Sequence, residues 1–146
     1  MIDMLSRLLD LTEKRERLAR EMLLNVKMQS WRESIKTSVV SDAAKSKKKI
    51  DKLKNHLARL SAPKGNRSCA RKLLELQKAR MEKRVEKNEA LLERKQKLVN
   101  YQEEEILRLA AKIHEQVEEI TKIDEEIANE NNDDLNHIND SLNETD

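Results

Sequence analysis

Apolar residues return every seven positions through the second half of the chain, at Val85, Leu92, Val99, Ile106, Ile113, Ile120 and Ile127, and most of them are β-branched. Side chains at that interval share one stripe of an α-helix, so the run predicts a sustained coiled-coil seam. Three residues further on, the companion positions read Asn88, Lys95, Gln102, Leu109, Gln116 and Ile123, and this side of the stripe is mostly polar. Leu91 and Leu98 widen the stripe on its other side. Such a seam specifies register better than it stabilises.

The same three-and-four spacing occurs upstream at Ile50, Leu53, Leu57 and Leu60, and more loosely at Leu5, Leu8, Leu11, Leu18 and Met22. Between these runs, Thr37-Ser38-Val39-Val40-Ser41-Asp42 holds poor helix formers and cap-forming residues, which predicts a kink or short break at 37–42. Helix is clearly broken at one place, Ser61-Ala62-Pro63-Lys64-Gly65-Asn66. Proline there removes a backbone donor, and glycine and asparagine accept turn conformations.

The arms on either side of that turn, residues 1–62 and 67–128, are equal in length, and the seam stops at Ile127 where the first arm would run out. Folding the chain about residues 63–66 pairs positions whose numbers total roughly 129. Apolar residues then meet repeatedly, as in Leu60 with Cys69, Leu53 with Leu76, Trp31 with Leu98, Met28 with Tyr101, Leu23 with Ile106 and Ile2 with Ile127. The expected fold is all-α, a long antiparallel helical hairpin or coiled coil, elongated to about 90 Å at 1.5 Å rise per residue. After Ile127 the composition turns polar, and residues 129–146 read as a flexible acidic tail. The spacing of Leu135, Ile138 and Leu142 would also allow a short helix that orders on a partner.

Composition supports this architecture and narrows the function. With one proline, one glycine, no phenylalanine, 37% apolar and 40% charged residues, the chain belongs with long helices rather than with compact domains that enclose pockets. No catalytic grouping or Gly-rich phosphate loop is discernible, and no cofactor is called for; Cys69 with the scattered His56, His114 and His137 does not make a metal set. The expectation is a protein that is not an enzyme. The start of the chain lacks the order of a secretory signal, and no stretch approaches the ~20 apolar residues of a membrane span, which argues for an intracellular, cytoplasmic or nuclear location.

Charge then changes the picture. Residues 45–100 carry nineteen Lys/Arg against six Asp/Glu, and residues 101–146 carry three against fifteen. In the hairpin, the basic residues of both arms gather at the turn. Lys45, Lys47, Lys48, Lys49, Lys52 and Lys54, joined across it by Lys64, Arg67, Arg71 and Lys72, suit an acidic protein surface or phosphates. No aromatic residue lies among them to stack on bases, so sequence-specific nucleic-acid readout is not expected. Asp42-Ala43-Ala44-Lys45-Ser46-Lys47 resembles the DNA-contacting region of a basic leucine zipper, yet Pro63 and Gly65 interrupt the continuous helix that such a zipper requires.

Near the start, Ile2, Met4, Leu5, Leu8, Leu9 and Leu11 are more apolar residues than one partner helix can cover, and Leu73, Leu74 and Leu76 likewise spread around their helix. The excess predicts further helical subunits or self-association; a membrane contact is the lesser reading for residues 1–11. The sequence thus points to a non-enzymatic coiled-coil scaffold or adaptor subunit whose basic tip docks on an anionic partner. An electrostatic, sequence-nonspecific nucleic-acid binder is one alternative. The architecture also resembles the small stalk proteins of type III secretion, which implies a stalk subunit of a motor or export ATPase as the other.

Overall fold

The structure is a computed structural model that describes residues 2–60 and 68–144. Two helices account for nearly all of them, α1 over Ile2–Arg59 and α2 over Ser68–Glu144, and they pack against each other as an antiparallel hairpin. No strand occurs among the described residues. The hairpin divides into two compact units, Met1–Trp31 with Glu105–Asp146, and Arg32–Glu104. The turn expected at Ser61–Asn66 lies outside the described residues.

In the first unit, Arg7 of α1 meets Glu130 of α2, Arg15 meets Asp124, and Asn25 meets Gln116. Numbers rise on one helix as they fall on the other, as antiparallel packing demands. The inward positions of α1 are Met4, Leu8, Leu11, Arg15, Leu18, Met22 and Asn25, and they alternate steps of four and three residues. α2 answers with Ile106, Leu109, Ile113, Gln116, Ile120, Ile123 and Ile127 at the same steps. This is a heptad seam on both helices.

The second unit repeats the arrangement with more polar inward positions. Arg32, Lys36, Val39, Ala43, Ser46, Ile50, Leu53 and Leu57 of α1 face Met81, Val85, Asn88, Leu92, Lys95, Val99 and Gln102 of α2. The Lys95 ammonium donates to the Ser46 hydroxyl at 2.8 Å, and Arg32 Nη1 donates to the Gln102 side-chain oxygen at 3.1 Å. The Arg32 guanidinium also lies 5.8 Å from the centre of the Tyr101 ring, within cation–π range.

These contacts correct the expected register. Asn25 with Gln116 and Ser46 with Lys95 are pairs whose numbers total roughly 140, not 129. The physical reason is the polar seam. A total of 129 would bring Arg32 opposite Lys97 and Ser46 opposite Lys83, whereas the observed register joins Asn25 to Gln116, Arg32 to Gln102 and Ser46 to Lys95. Many of the apolar residues used in the symmetric fold-back face outward instead: Leu23, Met28, Trp31, Leu76, Leu98 and Tyr101 are all large and exposed, while Leu53, Ile106 and Ile127 keep seam positions. One consequence is asymmetry at the ends. Lys54 pairs with Glu89, so the C-terminus of α1 at Arg59 lies level with about residue 84, and the first turns of α2 precede that level. Leu73 and Leu76, in those turns, are each 60% exposed.

Two element boundaries also differ from expectation. α1 runs unbroken through residues 37–42. Thr37 donates its hydroxyl to the Glu33 carbonyl at 2.9 Å, which satisfies that side chain within the helix, and Val39 and Ala43 hold the seam spacing, so packing overrides weak local propensity. α1 ends at Arg59, where the Leu60 amide bonds the Leu57 carbonyl at 3.2 Å and tightens the last turn. α2 does not stop at residue 128 but stays helical to Glu144.

The buried polar layer makes a testable contribution. Gln116 is only 6% exposed and accepts from Asn25 Nδ2 at 3.0 Å. Asn25→Leu should strand the Gln116 amide and cost about 1–3 kcal/mol in urea unfolding followed by helical circular dichroism. Adding Gln116→Leu should return most of that loss, because two apolar groups at facing seam positions pack without an orphaned dipole.

Candidate docking faces

Lettering the inward positions a and d assigns every other residue to a side of the hairpin. The e and b positions of both helices fall on one side, and g and c on the other. Cross-helix contacts fit this assignment in each unit. In the first, Arg15 reaches Asp124 on the e/b side, while Lys14 shares a surface groove with Glu119, Lys122 and Glu126 on the g/c side. In the second, Lys36–Glu103 at 3.2 Å and Lys54–Glu89 at 2.8 Å lie on the e/b side, and Arg32 leans over Tyr101 on the g/c side.

In the first unit the e/b side is apolar. Leu5, Leu9, Leu23 and Val26 of α1 lie there with Leu107, Val117 and Leu135 of α2, and all seven are exposed, from Val26 at 42% to Leu107 at 70%. Ala19, Ala110 and Ala128 occupy intervening positions, and the charged residues on this side are Glu16, Asp124 and His114. The g/c side of the same unit is mostly ionic, with Arg7, Asp10, Lys14, Arg17, Lys112, Glu115 and Glu119 among its residues, and carries the exposed apolar Leu24, Met28 and Trp31 towards one end. A water-facing helix side has no reason to be leucine-rich, since covering each half-exposed Leu or Val is worth about 1 kcal/mol.

In the second unit the charges are sorted by side. The g/c positions hold eight cations, Lys45, Lys49, Lys52 and Arg59 on α1 and Arg80, Arg84, Lys87 and Arg94 on α2, against Asp42 alone. All eight are exposed, and none forms an ion pair among the described residues. Leu91, Leu98 and Tyr101 interleave with them and are 42%, 42% and 50% exposed. The e/b side is the reverse, with Glu33, Asp51, Glu75, Glu82, Glu86, Glu89, Glu93 and Glu103 against Lys47, Lys54 and Lys72.

The expected tip cluster is therefore divided. Lys45, Lys49 and Lys52 belong to the basic g/c face, Lys47 and Lys54 to the acidic e/b side, and Lys48 points away from both. Arg71 and Lys72 sit in the first turns of α2, ahead of the level reached by α1, so they do not adjoin Lys45–Lys54. Lys64 and Arg67 lie outside the described residues. Arg59, Arg80, Arg84, Lys87 and Arg94 complete the face, and counting g and c positions along both heptads is the signal that finds them. Of the seam residues, Val85 is buried, and Leu92, Val99, Ile106, Ile113, Ile120 and Ile127 are half-buried; their companions Leu109, Gln102, Gln116 and Ile123 lie deeper.

No family model, curated protein or solved structure matches this chain. No described helix is long and apolar enough to cross a membrane, and no group of three or more His, Cys, Asp or Glu among the described residues is placed to hold a metal ion. Cys69 is exposed, and His114 bonds Glu118 one turn away at 3.1 Å.

The Lys54–Glu89 pair gives the e/b side a titration signature. The hydrogen bond and charge of Glu89 raise the Lys54 pKa above its ordinary 10.5. A raised folded value means that the pair's small contribution is complete below 10.5 and fades as pH climbs through the higher folded value. Lysine side-chain NMR should place the Lys54 midpoint above 10.5, and Glu89→Gln should lower it.

Proposed function

We propose that this chain is a non-enzymatic coiled-coil scaffold subunit of a multiprotein assembly. Its apolar e/b side in the first unit packs against helices of other subunits, and its basic g/c face in the second docks on an anionic partner. The observation that carries this reading is the one-sidedness of the exposed apolar residues. Leu5, Leu9, Leu23, Val26, Leu107, Val117 and Leu135 share one side, while ions occupy most of the other, where Leu24, Met28 and Trp31 are the exposed apolar residues. Scattered exposed leucines are ordinary on a soluble surface, but seven on one side form a second seam that lacks its helix. Filling such a seam yields a three- or four-helix bundle, the usual way in which hairpins are incorporated into larger assemblies. Nothing about this role needs a pocket or a cofactor.

The basic face leaves a second reading open on a specific observation. Eight cations against one acid would hold the phosphates of nucleic acid without reading sequence, with an affinity that falls steeply as salt rises. The two readings separate in one experiment. A tagged chain is recovered from its native cell alongside Leu23→Glu/Val117→Glu and Arg84→Glu/Lys87→Glu variants, and the co-purifying proteins are quantified by mass spectrometry after nuclease treatment. The scaffold reading expects a defined set of helical proteins to fall at least tenfold with the first variant and to persist with the second. Recovery of nucleic acid alone, lost only with the second variant, would replace it.

A further inference from the structure

The anionic partner of the basic face is identified by chemistry carried elsewhere on the same chain. The face offers two rows of cations, one on each helix, with Leu91, Leu98 and Tyr101 half-exposed between them. A bare phosphate backbone would use the cations and leave those apolar side chains wet. An acidic helix with an apolar ridge would use both, with carboxylates flanking the ridge and reaching the cation rows on either side.

The chain contains such a helix. From Ile123 to its end it carries nine Asp/Glu and no Lys or Arg, and Leu135, Ile138 and Leu142 recur there at three-and-four spacing. α2 is helical across this stretch to Glu144. Asp124 and Glu130 already pair with Arg15 and Arg7, which leaves seven acids of the stretch to set against the eight cations. Arg94 and Asp124 are about thirty residues apart on the same helix. We propose that the acidic C-terminal part of α2 from a second copy docks on the basic g/c face, so that the chain pairs with itself through complementary charge. This rests on the scaffold reading and specifies the anionic partner within it. Each copy carries both halves of the contact, so a pair of chains that makes it twice is closed instead of propagating.

Sedimentation equilibrium on the purified chain tests the proposal. Dimer should predominate at roughly 50 mM salt and weaken at least tenfold by roughly 0.5 M, as expected for contact between exposed ions. Two charge-reversed variants are then compared, Lys49→Glu/Arg84→Glu/Lys87→Glu on the face and Glu125→Lys/Glu126→Lys/Asp133→Lys on the acidic segment, each checked for unchanged helical circular dichroism. Either alone should be monomeric at low salt, since the reversals leave the face with five cations against four acids in one variant and the segment with six acids against three cations in the other, while a mixture still pairs an intact face with an intact segment. Mixing them should restore the dimer. Zero-length carbodiimide cross-linking of mixed ¹⁵N-labelled and unlabelled chains should join Lys49 or Lys87 of one copy to Glu125, Glu126 or Asp133 of another.

A wild-type chain that stays monomeric at low salt overturns the inference. So does a dimer that persists in high salt and in both variants, or a mixture that fails to re-pair. If Leu23→Glu/Val117→Glu abolishes a salt-insensitive dimer, self-pairing through charge is wrong while the apolar docking side remains. If the monomeric wild type instead shifts a 20-base-pair DNA duplex, and Lys49→Glu/Arg84→Glu/Lys87→Glu does not, the basic face is a phosphate-binding surface and the pairing is rejected.

Discussion

The register of the two helices depends on polar groups inside the seam. A hairpin with only leucine and isoleucine inward could slide by a heptad at little cost, because any apolar layer packs acceptably against any other. Here the inward amides, hydroxyl and cations must find one another. Asn25 meets Gln116, Arg32 meets Gln102, and Ser46 meets Lys95. Slipping one helix by seven residues would leave several of these groups buried without partners at about 1–3 kcal/mol each. The same groups are the least stabilising part of the interface. Register is bought with stability, a trade well attested for polar residues at single seam positions.

Once the register is set, the lettering of each helix decides which residues become neighbours on the surface, and the docking faces are consequences of it. Arg84 and Lys87 share a face with Lys49 and Lys52 only because g and c positions of antiparallel helices fall on one side. In the symmetric fold-back those α2 residues would have sat opposite other parts of α1. The apolar side of the first unit follows in the same way, since Leu23 and Val26 adjoin Val117 in the observed register. In this chain the heptad carries two messages, one inward that chooses the pairing and one on each flank that sorts apolar and charged residues by side.

Helical content, the hairpin and the seam of Val85–Ile127 were legible because they rest on periodicity and on the lack of helix breakers, which are local properties. Register was not, for a particular reason. Matching apolar residues around Pro63 treats every leucine as inward, yet Leu9, Leu23, Leu76 and Leu98 are exposed, while the polar Gln102 and Gln116 are 6% exposed. The informative residues were the companions Asn88, Lys95, Gln102 and Gln116, read in sequence as specifying register but not used to choose the pairing. The break expected at 37–42 failed because propensity is a weak local term beside a continuous line of packed positions. The basic cluster was visible as composition, but its division between two sides requires the register, which composition does not contain.

The thinness of the core bears on why such a chain would carry two docking faces. Among the described residues only Ile50, Val85, Leu109 and Ile123 are buried apolar side chains, and no side chain is fully buried. Two helices expose most of their surface however well they pack, so apolar burial alone leaves a hairpin of this kind marginal against the entropy of ordering its backbone. Binding on the apolar side adds burial that only the folded hairpin can accept, and by mass action any partner that binds the folded form raises its stability. A hairpin with a polar, register-specifying seam and apolar outer positions therefore has its stability distributed differently from a compact domain. The inner interface selects one arrangement, and in the proposed scaffold role partners on the outer faces would add to the free energy that holds it.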